Sequence, residues 1–276
     1  MRLTYIGKIM VTGKVMKSSG PSPKKTLGQH WLEDDSALKA ICLAADLQVT
    51  DTVLEIGPGL GALTEQLVKR ATKVIAVELD ENLVWELSRR IKSPNLAIVH
   101  QDILQFNFGQ LPDHYKVVAN IPYYLTSNLI RTLSETKNPP QVAAILVQKE
   151  VAKRLAADPG DMSVLGVTAQ YYWQVELGRI VSAELFNPKP KVDSQIVILK
   201  YRYQPLFSEV DTKRFFRLVR AGFSQKRKTL VNSLSGGLAV PKENATSMLN
   251  KAGISPSARA QTLSLGDWYR LYQAHS

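Results

Sequence analysis

Three short stretches contain residues whose types and spacing could do chemistry. "EIGPGLG" places Gly57, Gly59 and Gly61 directly after the apolar run "VLEI". Glycines at such a point let the chain turn tightly and bring its backbone close to a ligand. The spacing is G-x-G-x-G, not the G-x-G-x-x-G of dinucleotide binders. Glu78 ends the next apolar run, 21 residues after Gly57. A carboxylate there can accept hydrogen bonds from both hydroxyls of a ribose. Asp102 follows the run "LAIVHQ" and can accept from an adenine amino group. Singly, either acid reads as a helix cap or a solvated side chain. With the glycines, they describe an adenosine pocket. The third stretch is "ANIPYYLTSN". Asn120, Ile121, Pro122 and Tyr123 put an amide, a rigid turn and an aromatic face where a strand should hand over to a helix.

The elements that must position these residues alternate. "DTVLEI", "KVIAVELD", "LAIVHQD", "KVVANI" and "QVAAILVQ" are apolar runs of strand length. Between most of them lie amphipathic stretches of helical period, such as "ENLVWELSRRI" and "SNLIRTLSE". This order predicts an α/β fold, a Rossmann-like parallel sheet with helices on both faces. Ligands of such sheets bind at the carboxyl ends of the strands, which is where Gly57, Glu78, Asp102 and Asn120 all fall. "QVELGRIVSAELF" and "SQIVILKYRY" have no helix between them and read as an antiparallel pair at the sheet edge. After residue 204 the pattern turns helical, with "DTKRFFRLVRAGFSQKRKTLVNSL" read as one helical segment. The expected organisation is a basic arm over 1–23, a sheet domain over 24–204 and a small all-helical domain over 205–276.

The chain has 276 residues and 45% hydrophobic content, enough for a substantial core. No run of 18 or more apolar residues occurs, which argues against a membrane span. The single cysteine, Cys42, excludes a disulfide framework, fits a reducing compartment and reads as a small core residue. The first 20 residues lack the continuous apolar stretch of a secretory signal. The net charge of +11 is unevenly spread: residues 1–32 carry +6, residues 201–276 carry +8 and the middle carries −3. Basic ends around a near-neutral body suit a polyanionic partner.

"EIGPGLG", "VIAVELD" and "ANIPYY" together resemble the S-adenosylmethionine-dependent methyltransferases. More closely, the chain is similar to the small-subunit ribosomal RNA adenine dimethyltransferases, the KsgA family. "KKTLGQHWL" (24–32) resembles that family's opening motif, "FNPKPKVDS" (186–194) its late motif and "LVRAGFSQKRKTL" (218–230) its C-terminal helix. The likeness runs from about residue 24 to the end. One departure stands out: His30-Trp31 occupies the place of the family's usual Asn-Phe.

The resemblance implies methyl transfer from S-adenosylmethionine to N6 of two adjacent adenosines in the 3′-terminal hairpin of small-subunit rRNA, giving N6,N6-dimethyladenosine. It implies a cofactor site of His30, Leu32, Gly57, Gly59, Gly61, Glu78, Asp102 and Asn120, with no metal. The adenine amino nitrogen is a poor nucleophile because its lone pair is delocalised into the ring. Acceptors on Asn120 and on the Ile121 carbonyl can localise that pair, and Pro122 stiffens the turn. Tyr123 offers a stacking face to a base taken out of its helix, and the resemblance adds Phe186 as a second face. Lys189 and Lys191 sit in a proline-bracketed loop, and Arg220, Lys226, Arg227 and Lys228 on the expected basic helix. All six are candidate phosphate contacts. The expected partner is small-subunit rRNA or its precursor particle, met by a cytoplasmic monomer with a role in ribosome biogenesis. Three alternatives stay open: a large-subunit methylase of the macrolide-resistance type, an RNA-binding assembly or transcription factor on the same fold, and a nicotinamide oxidoreductase. The glycine spacing and the Asn-Ile-Pro-Tyr turn disfavour the last.

Overall fold

The computed structural model describes residues 29–204, 206–207 and 209–275. The expected basic arm and the start of the opening motif lie outside them. In chain order the elements are β1 (Trp31–Leu32), α1 (Asp35–Ala44), β2 (Thr52–Ile56), α2 (Ala62–Leu67), β3 (Lys73–Glu78), α3 (Glu81–Arg90) and β4 (Leu96–His100). There follow β5 (Lys116–Asn120), α4 (Thr126–Glu135), β6 (Val142–Gln148), α5 (Lys149–Leu155), α6 (Val164–Tyr172) and β7 (Trp173–Val181). Then come β8 (Phe186–Asn187), β9 (Ser194–Tyr201), α7 (Thr212–Phe223), α8 (Leu230–Leu238), α9 (Lys242–Lys251) and α10 (Leu265–Ala274).

Contacts divide the chain into two units. The first is the described part of Met1–Lys149 together with Glu176–Lys200. The second is Glu150–Val175 with Tyr201–Ser276. The boundary expected at residue 204 therefore captures only part of the second unit. Residues 150–175 belong to it as well, because Met162, Val167 and Tyr171 pack into the same core as Phe215, Leu230 and Trp268.

The main sheet has the order β4-β3-β2-β5-β6-β9-β7. β2 to β6 pair in parallel, and β9 runs antiparallel to β6. The central parallel strands β2, β3, β5 and β6 are buried on both faces, which is why they read as nearly continuous apolar runs, whereas β4 at the edge is only partly buried. Register fixes the ligand edge: Ile56 pairs with both Val77 and Ala119, and Glu78 lies beside His100. The ends of β2, β3, β4 and β5 are thus level. A second, two-stranded pairing joins β1 to β8, with Leu32 opposite Phe186 and Trp31 opposite Asn187.

In the second unit α7 and α8 approach closely. A Cβ on Gly237 would lie 2.6 Å from the Ala221 Cα, so only glycine permits that contact. α7 ends at Phe223 and α8 begins at Leu230. The segment expected as one basic helix is therefore two helices, with Lys226, Arg227 and Lys228 in the turn between them. No described helix is long and apolar enough to cross a membrane.

Candidate functional site

The level strand ends open onto a cavity of about 550 Å3 in the first unit. Its floor is the glycine turn after β2. Gly57, Gly59 and Gly61 all have positive φ, at 65°, 57° and 87°. Gly57 N–H donates to the Val77 carbonyl at 2.9 Å, and this carries the β2–β3 pairing one step past the strand. Gly59 is pressed against Trp31, since a Cβ there would meet the indole Cδ1 at 3.4 Å. Gly61 has a different task from the one expected. It does not line the cavity, and a Cβ there would strike Leu87 and Ile91 at 2.5 and 2.8 Å. Its smallness lets the start of α2 pack on the end of α3.

Glu78 is 7% exposed at the end of β3. Its carboxylate accepts N–H bonds from Leu79 and Asp80, each at 2.9 Å, and from Gly59 at 3.2 Å. Burial raises its pKa, and the three N–H donors oppose that rise by favouring the anion. The result is an oriented acid whose remaining lone pairs are available in the cavity wall. Asp102 does two things at once: it accepts from Leu104 N–H at 2.9 Å, capping a short turn, and it lines the cavity. The capping reading of this acid is realised, and its place in the cavity wall is where an adenine contact would have to be made.

Asn120 ends β5, and its side-chain amide makes no hydrogen bond to another described residue. Ile121 buries its side chain while lining the cavity, and Pro122 has φ −56°. The turn is closed by Leu125 N–H to the Pro122 carbonyl at 3.0 Å and by the Thr126 hydroxyl to the Tyr123 carbonyl at 3.0 Å. It therefore presents Asn120 without using it. The Tyr123 hydroxyl meets the Ser194 hydroxyl at 2.7 Å. Burial raises the tyrosine's pKa, so it remains a neutral phenol at physiological pH.

The structure brings His30, Leu32, Gly57, Gly59, Glu78, Asp102 and the Asn120–Tyr123 turn around one cavity. Phe186 does not join them. It is 5% exposed, packed in the core opposite Leu32, and the ring beside Tyr123 is that of His30. Among the wall residues absent from the site expected from sequence, Glu55 stands out chemically. Glu55 is fully buried, neither carboxyl oxygen makes a well-formed hydrogen bond to a described residue although the Thr64 hydroxyl lies close enough to act as a weak donor, and burial pushes its pKa up to about 8. The nearby Thr64 hydroxyl and Glu78 charge act on it in opposite senses. The sequence does carry its signal: an acid inside the apolar run "VLEI" has to be doing something other than meeting water.

This arrangement has room and oriented acceptors that suit an adenosine-bearing group, with an unengaged amide beside them. The sequence model for ribosomal RNA adenine dimethylases matches residues 21–275. The chain belongs to that family. It is 46% identical over 252 residues to the ribosomal RNA small subunit methyltransferase A of Dehalococcoides mccartyi, covering 90% of this chain and 87% of that protein. Among solved structures it resembles a dimethyladenosine transferase from Plasmodium falciparum, with TM-score 0.75 and 29% identity over 87% of this chain and 95% of that one. It also resembles the 23S rRNA methyltransferase ErmE, with TM-score 0.71 and 29% identity over 88% and 98%. The dimethylase fold accounts for the α/β sheet, and S-adenosylmethionine is the cofactor of the family. Among the described residues no cluster of three or more His, Cys, Asp or Glu could hold a metal ion.

The candidate RNA contacts of the dimethylase are exposed. Lys189 forms an ion pair with Glu184, whereas Lys191 has no ion pair among the described residues. Arg220 points outward from the last turn of α7, and Lys226, Arg227 and Lys228 follow in the exposed turn. None of these four has an ion pair among the described residues.

Proposed function

We propose that the chain transfers methyl groups from S-adenosylmethionine to adenine N6 in the 3′-terminal hairpin of small-subunit rRNA, giving N6,N6-dimethyladenosine. The observation that carries this reading is the unengaged Asn120 amide on a closed, proline-stiffened turn at the cofactor cavity. The cavity suits the cofactor: positive-φ glycines leave room for close backbone approach, and an oriented Glu78 offers acceptor lone pairs to ribose hydroxyls. In this assignment His30, Leu32, Gly57, Gly59, Glu78, Asp102 and Asn120 hold the cofactor. When bound it supplies an electrophilic sulfonium methyl.

The side chains then have separable tasks. Asn120 Oδ1 and the Ile121 carbonyl accept from the adenine amino group and turn its lone pair away from the ring. Pro122 prevents the turn from relaxing. Tyr123 stacks on the extruded base. No strong base is required, because the amino nitrogen becomes acidic once alkylated and its proton passes to water. Catalysis is chiefly positioning of two reactants. The second unit supplies phosphate contacts through Arg220, Lys226, Arg227 and Lys228, with Lys189 and Lys191 adding to them. A complete cavity within one chain supports action as a monomer. The nature of the substrate supports a cytoplasmic site and a precursor particle as the form of RNA engaged.

Labelled methyl transfer to undermethylated small ribosomal subunits tests the proposal, with large subunits as the control. Label in small-subunit RNA alone supports it. Label confined to large subunits would instead favour the macrolide-resistance type, a reading kept in view by the likeness to ErmE.

A further inference from the structure

The departure at His30-Trp31 has a structural consequence. The His30 and Tyr123 rings are stacked, with centroids 5.9 Å apart and planes 20° from parallel. His30 Nδ1 lies 2.6 Å from the Pro188 carbonyl oxygen. A carbonyl only accepts, so Nδ1 carries the hydrogen and donates. That bond tethers the ring, and the pairing of β1 to β8 one residue further on, Trp31 opposite Asn187, keeps the backbones of His30 and Pro188 close enough to make it. Tyr123 is tied at its other end, through its hydroxyl to Ser194. Two tethers and one stacking contact thus fix the plane of the Tyr123 ring.

The separation decides which face of Tyr123 a base can use. Two successive stacking steps span about 6.8 Å. A gap of 5.9 Å therefore does not admit a base between the two rings. His30 occupies one face of Tyr123 and leaves the other for the substrate. Phe186, buried opposite Leu32, is not placed to hold the tyrosine.

We propose that His30 is a positioning residue for the target base, acting through Tyr123: its ring backs the tyrosine and sets the plane on which the adenine stacks. The inference rests on the proposed methylation of adenine. It assigns His30 a task on the substrate side, separate from any contact with the cofactor.

Three variants separate the ring from its tether. His30→Ala removes both, His30→Asn keeps a donor for the Pro188 carbonyl and His30→Phe keeps a ring. The measurement is single-turnover methylation of small-subunit RNA at saturating cofactor, with cofactor affinity by calorimetry and melting temperature measured alongside. The expected result is a fall of about ten- to a hundredfold for His30→Ala, the scale of a misplaced reactant. Cofactor affinity can fall as well, because His30 also lines the cofactor cavity, but saturating cofactor removes that effect from the measured rate. His30→Phe should recover more of the rate than His30→Asn. In a Tyr123→Ala background, His30→Ala should have little further effect, since the two act as one unit.

Weakened cofactor binding with an undiminished rate at saturation would make His30 a cofactor contact only and overturn the proposal. So would additive effects of the two alanine substitutions, or better rescue by His30→Asn. If the unaltered protein fails to methylate small-subunit RNA, the functional reading fails instead, which the first control reveals.

Discussion

Glu78 and Glu55 are both buried acids at the same cavity, burial raises the pKa of each, and only Glu78 has backbone donors that offset the rise. Glu78 is met by three backbone N–H groups, Glu55 by none. Replacing Glu78 by Gln keeps its shape but removes the charge that would hold the ribose hydroxyls. Each hydrogen bond to a charged group contributes about 1.5–3 kcal/mol. Calorimetric titration should therefore show cofactor affinity reduced at least tenfold in Glu78→Gln; unchanged affinity would remove Glu78 from the ribose site. Glu55 predicts a pH effect on stability instead. Its ordinary value is 4.5 and its folded value about 8, so the folded chain holds the proton more tightly. The group's contribution is thus most favourable below about pH 4.5 and is lost progressively up to about pH 8. Urea unfolding should show the wild type losing on the order of a few kcal/mol across that window relative to Glu55→Gln. Parallel pH profiles for the two proteins would show that Glu55 is not protonated. Residue types make Glu78, Asp102 and Asn120 legible in the sequence, because each ends an apolar run at the ligand edge. Gly61 is not legible in this way, because glycine spacing does not distinguish ligand approach from helix packing. His30, not Phe186, stands beside Tyr123 because their positions depend on the β1–β8 pairing, which joins residues more than 150 apart.

At the scale of elements, the turn between α7 and α8 carries a further prediction. Lys226, Arg227 and Lys228 are exposed there, and Arg220 is exposed one turn earlier. Replacing all four with Ala should weaken RNA binding and flatten its salt dependence. The log–log slope should fall by roughly 0.7–0.9 for each phosphate that is no longer neutralised. Cofactor affinity should not move, because the cavity is built wholly from the first unit. Filter binding over a series of salt concentrations would show this, and an unaltered slope would leave the turn a solvated surface. The central parallel strands are easy to read, since burial on both faces makes them mostly apolar. α6 leaves no such trace. Its sequence "VLGVTAQYY" mixes glycine, β-branched and aromatic residues without an amphipathic stripe, and runs straight into β7. The glycine is a packing requirement, because a Cβ on Gly166 would lie 2.6 Å from the Arg154 carbonyl oxygen. The break after Phe223 is likewise hidden, because "SQKRKT" contains no glycine or proline to mark it.

At the scale of the whole molecule, each unit has a core of its own, and the chain crosses between them more than once. A single cut at residue 204 is the natural reading of the change in periodicity. Contacts made by 150–175 cannot be seen in local pattern, which is why that segment reads as part of the sheet domain. The basic ends and near-neutral body are visible in composition alone, and they suit a polyanionic partner. The central claim is that the Asn120 turn positions adenine for methylation rather than merely shaping the loop. The most direct measurement is single-turnover formation of N6,N6-dimethyladenosine in small-subunit RNA, by nucleoside mass spectrometry, for the wild type and Asn120→Ala. Asn120 makes no side-chain bond to another described residue, so the variant should keep its melting temperature and bind cofactor nearly as well. Its rate should fall by about a hundredfold or more, the scale of a reactant misplaced by about 1 Å together with a missing acceptor. A folded, cofactor-binding Asn120→Ala protein that forms dimethyladenosine at close to the wild-type rate would contradict the account.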